Sequence, residues 1–329
     1  MITMKFHDYY WYYYLTYRKT RQRPITQATM EAILKLHLDT SPLADMELEA
    51  IRTIDLQMFL TQEKTAGNKK LSSQGEPAPL SNHVMVKMRQ FLIAVFQQAV
   101  NEELVAKNYA AMTSPISLGW QDAPVFTPEA QRDFLLASKK SRYYVAYVLL
   151  FYLGLRRAEL LGLPWRNVDL VNKELTVSQT LNVVREEIVL SASTKTKNSM
   201  RVLPLADKLV ELLKKHKAKQ EKEALKVAGY KNVHQLVFTD KKGNPIDPSY
   251  FSHVFKTQVK KLTSCDNRLH VHSTRHTWAT NMIHMGVSIP DVQALGGWSR
   301  PNVLLEIYSH TLRDSQKDAM ARLAEKFNF

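Results

Sequence analysis

The chain has 329 residues, 45% apolar and 23% charged, ordinary globular proportions that exclude a disordered or collagen-like polypeptide. Lys and Arg number 45 against 31 acidic residues, so the formal net charge is +14 and a polyanionic partner is favoured. The one cysteine, Cys265, rules out an intrachain disulfide and a cysteine-cluster zinc site, and points to a reducing compartment.

No run reaches the ~18–20 apolar residues of a membrane span, and no basic segment followed by an apolar core opens the chain. The polyanion that remains is nucleic acid, and the expected location is cytoplasmic, associated with the nucleoid. Residues 1–111 read as mostly helical, beginning with a dense aromatic segment (Tyr9, Tyr10, Trp11, Tyr12, Tyr13, Tyr14) and the basic residues Arg18, Lys19, Arg21 and Arg23. These rings are expected to pack a small helical domain; a base-stacking platform for single strands is the alternative. Leu34 to Leu60 suggests two short helices, with Asp55 as a cap. The clearest helix runs from Ser81 to Glu103, where Val84, Met88, Phe91, Leu92, Val95, Phe96 and Ala99 form one apolar stripe. Lys87 and Arg89 lie off it, toward DNA or solvent.

Residues 112–126, containing Pro115, Gly119 and Pro124, read as a linker. Thr127-Pro128-Glu129 then gives a helix start: a capping Thr, Pro at the first helical position, an acid in the first turn. Beyond it helices dominate, apart from three strand-like runs, Leu175–Val177, Glu187–Val189 and Arg201–Leu205. The polar, Lys-rich turn Ser193–Ser199 interrupts them. The Lys/Glu-rich stretch Lys214 to Lys226 reads as a solvated helix face. The expected fold class is mainly α with a small antiparallel β-sheet (α+β).

Four clusters carry the chemistry. They are Gly154-Leu155-Arg156-Arg157-Ala158-Glu159; Thr194-Lys195-Thr196-Lys197 leading to Arg201; His272-Ser273-Thr274-Arg275-His276; and Leu295-Gly296-Gly297-Trp298, ten residues before Tyr308-Ser309-His310. In order and spacing they resemble the tyrosine recombinase (phage-type integrase) family. The resemblance implies a helical core-binding domain over 1–111, a catalytic domain over 127–312, and a tail helix over 313–329 that docks in trans or packs in cis. The two domains are expected to clamp duplex DNA. The core-binding pattern starts almost at Met1, so an arm-binding domain is not expected within this sequence; either the protein is a simpler recombinase or an N-terminal piece lies outside it.

Attack on a phosphodiester develops charge on the non-bridging oxygens, which planar guanidinium groups neutralise with paired N–H donors. The resemblance assigns that clamp to Arg156 and Arg275, while Arg157 does not fit the family's position. It makes Tyr308 the nucleophile, a phenol with pKa near 10 that needs a base and a cationic site to react. Lys195 is the expected general acid, with Lys197 as its competitor, and His272 the proton partner near the phosphate. Trp298 occupies the family's His-or-Trp position, implying an indole N–H donated to the phosphate, although its spacing to Tyr308 is one residue longer than the family's. Glu159 is expected to orient the site.

His270, His272 and His276 invite a metal reading, but no carboxylate or cysteine completes a set, and His276 reads better as a supporting, hydrogen-bonded histidine. No nucleotide-type glycine loop is present. Neither metal nor cofactor is therefore expected. The implied activity is site-specific recombination of duplex DNA with inverted-repeat core sites, as a dimer per site and a tetramer per synapse. It would run through a 3′-phosphotyrosine and a Holliday junction. A type IB topoisomerase-like relaxing enzyme and a non-catalytic DNA-binding protein are the alternatives.

Overall fold

The computed structural model describes residues 4–68, 78–119, 123–192, 200–301, 304, 320–321, 323–325 and 327. Lys195, Lys197, Tyr308 and most of the tail lie outside the described residues. The chain divides into two compact units, Met1–Gln121 and Asp122–Phe329.

The first unit holds α1 (Phe6–Tyr13), α2 (Pro24–Ile33), α3 (Thr53–Ala66) and α4 (Asn82–Asn101). Helix α4 buries Met85, Met88, Phe91, Leu92, Val95, Phe96 and Ala99, which recur at three- and four-residue spacing and so share one face. Val84, expected in that stripe, is only partly buried. Tyr9, Tyr10, Tyr13 and Tyr14 are buried, as the packing expectation requires. Two carboxylates accept from the polar ends of these aromatics. Glu102 takes the Tyr9 and Tyr17 hydroxyls, at 2.9 and 3.0 Å, and Asp39 takes the Tyr10 hydroxyl and the Trp11 indole N–H. Buried phenols and indoles need such partners, and rings held this way are not presented to bases.

Arg89 differs from its sequence reading. Its guanidinium donates to the Thr113 hydroxyl at 2.9 Å and the Thr113 carbonyl at 2.7 Å, fastening the chain after α4, while Lys87 stays exposed. Asp55 caps α3 from its third position rather than from the N-cap, its carboxylate accepting the Arg52 backbone N–H. The stretch before it forms a π-type turn at Leu34–Leu38 and two short 3-10 turns.

The second unit contains α5 (Pro128–Ala137), α6 (Tyr144–Leu153), α7 (Arg157–Leu161), α8 (Asp207–Lys226), α9 (Pro248–Lys260), α10 (Val271–His284) and α11 (Ile289–Gly296). Its strands are β1 (Val168–Asp169), β2 (Glu174–Val177), β3 (Gln179–Val184), β4 (Glu187–Ala192) and β5 (Arg201–Pro204). Strands β1, β2 and β5 form an antiparallel sheet in the order β1-β2-β5, with Leu175 opposite Leu203. Strands β3 and β4 make a separate hairpin. The Thr127 hydroxyl caps α5 by accepting from the Ala130 N–H, as its sequence signature requires.

The core is aromatic. Phe126 lies edge-on to Phe134, Phe151 and Phe255, and Tyr147 and Phe251 extend the cluster. Phe126, the last residue of the expected linker, is thus a core residue, and its backbone N–H donates to the Thr277 hydroxyl on α10. No helix among the described residues is long and apolar enough to cross a membrane.

Candidate active site

Gly154 ends α6 in a left-handed conformation at φ +60°, where a side chain would be strained. A Cβ there would also run into the Trp278 indole. The chain turns through buried Leu155, places Arg156 immediately ahead of α7, and points the Gly154 carbonyl at Arg275. Helix α11 starts at Ser288, whose hydroxyl accepts from the Asp291 N–H, and stops at Gly297, left-handed at φ +67°. The last carbonyls of a helix lack internal partners and carry the negative end of its dipole, so cations collect there.

Three arginines from three elements meet that end. Arg201 of β5 donates to the Leu295 carbonyl at 2.7 Å, Arg275 of α10 to the Gly296 carbonyl at 2.6 Å, and Arg156 to the Gly297 carbonyl at 2.7 Å. Consecutive carbonyls thereby draw the two sequence-nominated guanidinium groups to one place.

Glu159 links two of the three, Arg156 and Arg201. Its buried carboxylate accepts two bonds from Arg201, at 3.1 and 2.9 Å, one from Arg156 at 2.6 Å, and the Arg156 backbone N–H at 2.9 Å. Burial alone would raise its pKa, but the hydrogen bonds and charge of Arg201, with the charge of Arg156, override that and hold the carboxyl down to about 2. It is a fixed anion between two cations.

Arg275 is the largest fully buried side chain of the described residues, with 1% exposure. One face of its guanidinium lies 3.6 Å from the centre of the Trp298 indole, and its other N–H donor reaches the Gly154 carbonyl at 2.6 Å. Trp298 in turn stacks on Trp278, with centroids 6.1 Å apart and planes at 14°. The ring expected to donate to a phosphate is seen here as the lid over Arg275. Gly296 makes this approach feasible, because a Cβ on it would overlap the Trp298 ring. Gly296→Ala is expected to push the indole off Arg275 and destabilise the fold by about 1–3 kcal/mol, as overpacked cores do, read as a lowered Tm.

His272 stands in the first turn of α10, solvent-accessible, with the His276 ring against it. Burial by surrounding protein, then the cost of adding a proton beside the basic groups His276, Arg275, His270 and Arg156, push its pKa down to about 4. His272 is thus a neutral imidazole at pH 7. Burial, Arg275 and His270 lower His276 likewise, to about 4.

The structure brings together Arg156, His272, Arg275 and Trp298 of the sequence-nominated residues, along with Glu159. Arg157 turns away, donating to the Pro248 carbonyl and the Ser252 hydroxyl on α9. Sequence reasoning missed Arg201 as a site residue. It stands in the second motif cluster, but only the fold reveals that it holds both Glu159 and the α11 end. Among the described residues, no group of three or more His, Cys, Asp or Glu side chains is placed to hold a metal ion.

Residues 125–314 match the phage integrase family. A tyrosine recombinase XerC-like protein of Caldanaerobacter subterraneus subsp. tengcongensis is 30% identical over 93% of this chain and 79% of its own length. The chain belongs to the phage integrase family. It is a tyrosine recombinase, an enzyme that cuts and rejoins DNA. The ICEBs1 integrase of Bacillus subtilis is 26% identical over 82% of this chain and 72% of its own. The fold is similar to that of the Tn1549 transposon integrase in complex with transposon right end DNA (TM-score 0.78, 20% identity, 98% of this chain and 100% of that one). A lambda integrase dimer bound to a core site is similar too (TM-score 0.64, 16% identity, 91% of this chain and 75% of that one).

Proposed function

We propose that this recombinase joins specific duplex DNA sites through a covalent link to Tyr308, with Arg156 and Arg275 clamping the scissile phosphate. The observation that carries this reading is the pair of guanidinium groups held on the adjacent carbonyls of Gly296 and Gly297. Two delocalised cations at one spot suit a pentavalent phosphorus centre, whose non-bridging oxygens gain charge during attack.

The phenolic oxygen of Tyr308 forms a bond to phosphorus as the bond to the 5′-oxygen breaks, leaving a 3′-phosphotyrosine and a 5′-hydroxyl. Neutral His272 accepts a proton in the attack, and Lys195, or Lys197 in its place, donates one to the departing 5′-oxygen. Trp298 holds Arg275 and offers its indole N–H toward the phosphate. The 5′-hydroxyl of a second strand then reverses the step on the stored phosphotyrosine bond, so the energy of the broken linkage is kept. Strand exchange in pairs passes through a Holliday junction.

DNA with inverted-repeat core sites is the proposed partner, bound as a dimer per site and a tetramer per synapse. Residues 1–111 supply the core-binding domain, 112–125 the linker and 126–312 the catalytic domain, with Phe126 moved into the latter by its burial, in a cytoplasmic, nucleoid-associated protein. The tail 313–329 docks on a neighbouring protomer. Its Met320, Leu323 and Phe327 are exposed, and an apolar groove of about 450 Å³ beside Trp278 and Met282 offers a surface for such a face.

A duplex nicked next to the cleavage site tests the reading, because the short fragment diffuses away and traps the adduct. A covalent protein–DNA species whose peptide maps to Tyr308, with junction products when two sites are paired, is the expected result. No adduct, or an adduct at another residue, sinks it. Relaxation of supercoils without junctions would assign the topoisomerase-like alternative instead.

A further inference from the structure

We propose that His276 is a positioning residue for the cleavage reaction, its ring clamping the His272 imidazole and keeping it in the uncharged, proton-accepting form. This deepens the reading of His272 given above and rests on it. His272 and His276 are separated by one helical turn of α10, so their side chains stand on the same face. Their ring centroids are 4.8 Å apart with the planes at 90°, an edge-to-face contact that fixes the torsion of the outer ring.

Without such a wall, an accessible imidazole in a first helical turn samples several rotamers and meets water. The inner ring is the less exposed of the two: His276 is half-buried, its Nδ1 shielded from solvent, next to buried Arg275.

The charged and titratable groups facing His272 are His270, Arg275 and His276 from α10 and its cap, and Arg156 from the start of α7. Arg275 and Arg156 carry fixed positive charge, and the positive end of α10 adds to theirs. A proton on His272 would therefore enter a cationic corner. The His276 ring keeps the imidazole inside that corner rather than swung into solvent, where it would titrate normally. Position and protonation state follow from one contact.

The test uses the full chain with histidine side chains labelled for NMR, the His272 signal being identified by its loss in His272→Gln. In the parent protein the His272 signal should show no titration above pH 5.5. In His276→Ala its midpoint should rise by at least one pH unit, toward the ordinary value of about 6.5. His276→Phe, which keeps an aromatic wall, should hold it low. On a nicked duplex, His276→Ala should cleave about tenfold more slowly at pH 5.5 than at pH 7.5, as a free imidazole with that ordinary pKa dictates. The parent and His276→Phe should show no such acid limb.

An unmoved His272 titration in His276→Ala, or a rate loss equal at every pH, overturns the proposal. If His276→Ala does not fold, His276→Phe decides: retained rate and low titration support the clamp, and a loss beyond tenfold refutes it. The titration is read without DNA, so failure to trap Tyr308 and failure of the clamp are separate results.

Discussion

Arg275→Ala is expected to slow single-turnover cleavage of a nicked duplex by about a thousandfold and to lower the melting temperature markedly. Arg156→Ala should slow cleavage by a comparable factor while leaving the melt nearly unchanged. Removal of one donor from a charge-stabilising pocket typically costs about 10²–10³ in rate, and in the proposed clamp each guanidinium would offer paired donors to the developing charge. The stability effects part company because the two residues are built in differently.

Arg275 is 1% exposed, and its loss strips partners from the Gly154 and Gly296 carbonyls and leaves a void under Trp298. An unpaired buried carbonyl costs about 1–3 kcal/mol, before any cavity is counted. The Arg156 side chain is 37% exposed, and without it Glu159 keeps both bonds from Arg201. Partly solvated pairs contribute about 1 kcal/mol or less. Parallel melts and cleavage assays check both halves. Arg275→Ala cleaving within tenfold of the parent would contradict the clamp.

Glu159→Ala is expected to destabilise the catalytic unit by about 3–5 kcal/mol, a drop in Tm of roughly 10 °C. The Arg201 guanidinium, 6% exposed, would lose both carboxylate bonds and stay buried as an uncompensated cation. The double replacement Glu159→Ala with Arg201→Met should recover much of the loss, because well-packed apolar groups commonly substitute for a buried ion pair at little cost. No recovery would mean that the Arg201 bond to the Leu295 carbonyl, rather than the pair, holds the site.

The same carboxylate sets a pH dependence. Its folded-state pKa is depressed, from 4.5 to about 2, so its contribution is complete above pH 4.5 and fades as pH falls toward 2. Acid unfolding of Glu159→Gln should lack that component, which denaturation midpoints between pH 5 and pH 2 will reveal.

Much of this was legible beforehand, for identifiable reasons. The stripe of α4 repeats at helical spacing with large apolar side chains, so burial of that face follows from periodicity alone. Thr127-Pro128-Glu129 fixes the start of α5 because cap, ring and dipole agree within three residues. Strand β3 was missed, and its turn shows why. Arg185 and Glu186 both adopt left-handed backbone, at φ 50° and 69°, where Gly or Asn is the usual signal. Arg89 misled because a cation off an apolar stripe looks solvent-bound, whereas a long guanidinium reaches backbone carbonyls in a neighbouring turn.

Residue identity and spacing along the chain settled which chemical groups are present: paired guanidinium groups, imidazoles, an acid three residues after the first arginine, a late phenol. Those facts are local, since motif distances survive without coordinates. Convergence was not local. Leu295, Gly296 and Gly297 act through backbone carbonyls, which every residue carries and no side-chain pattern marks. Only the left-handed stop of α11, with β5, α7 and α10 packed around it, turned three ordinary carbonyls into the seat for three arginines. Long-range packing decides such contacts, because the partners lie up to 141 positions apart in sequence.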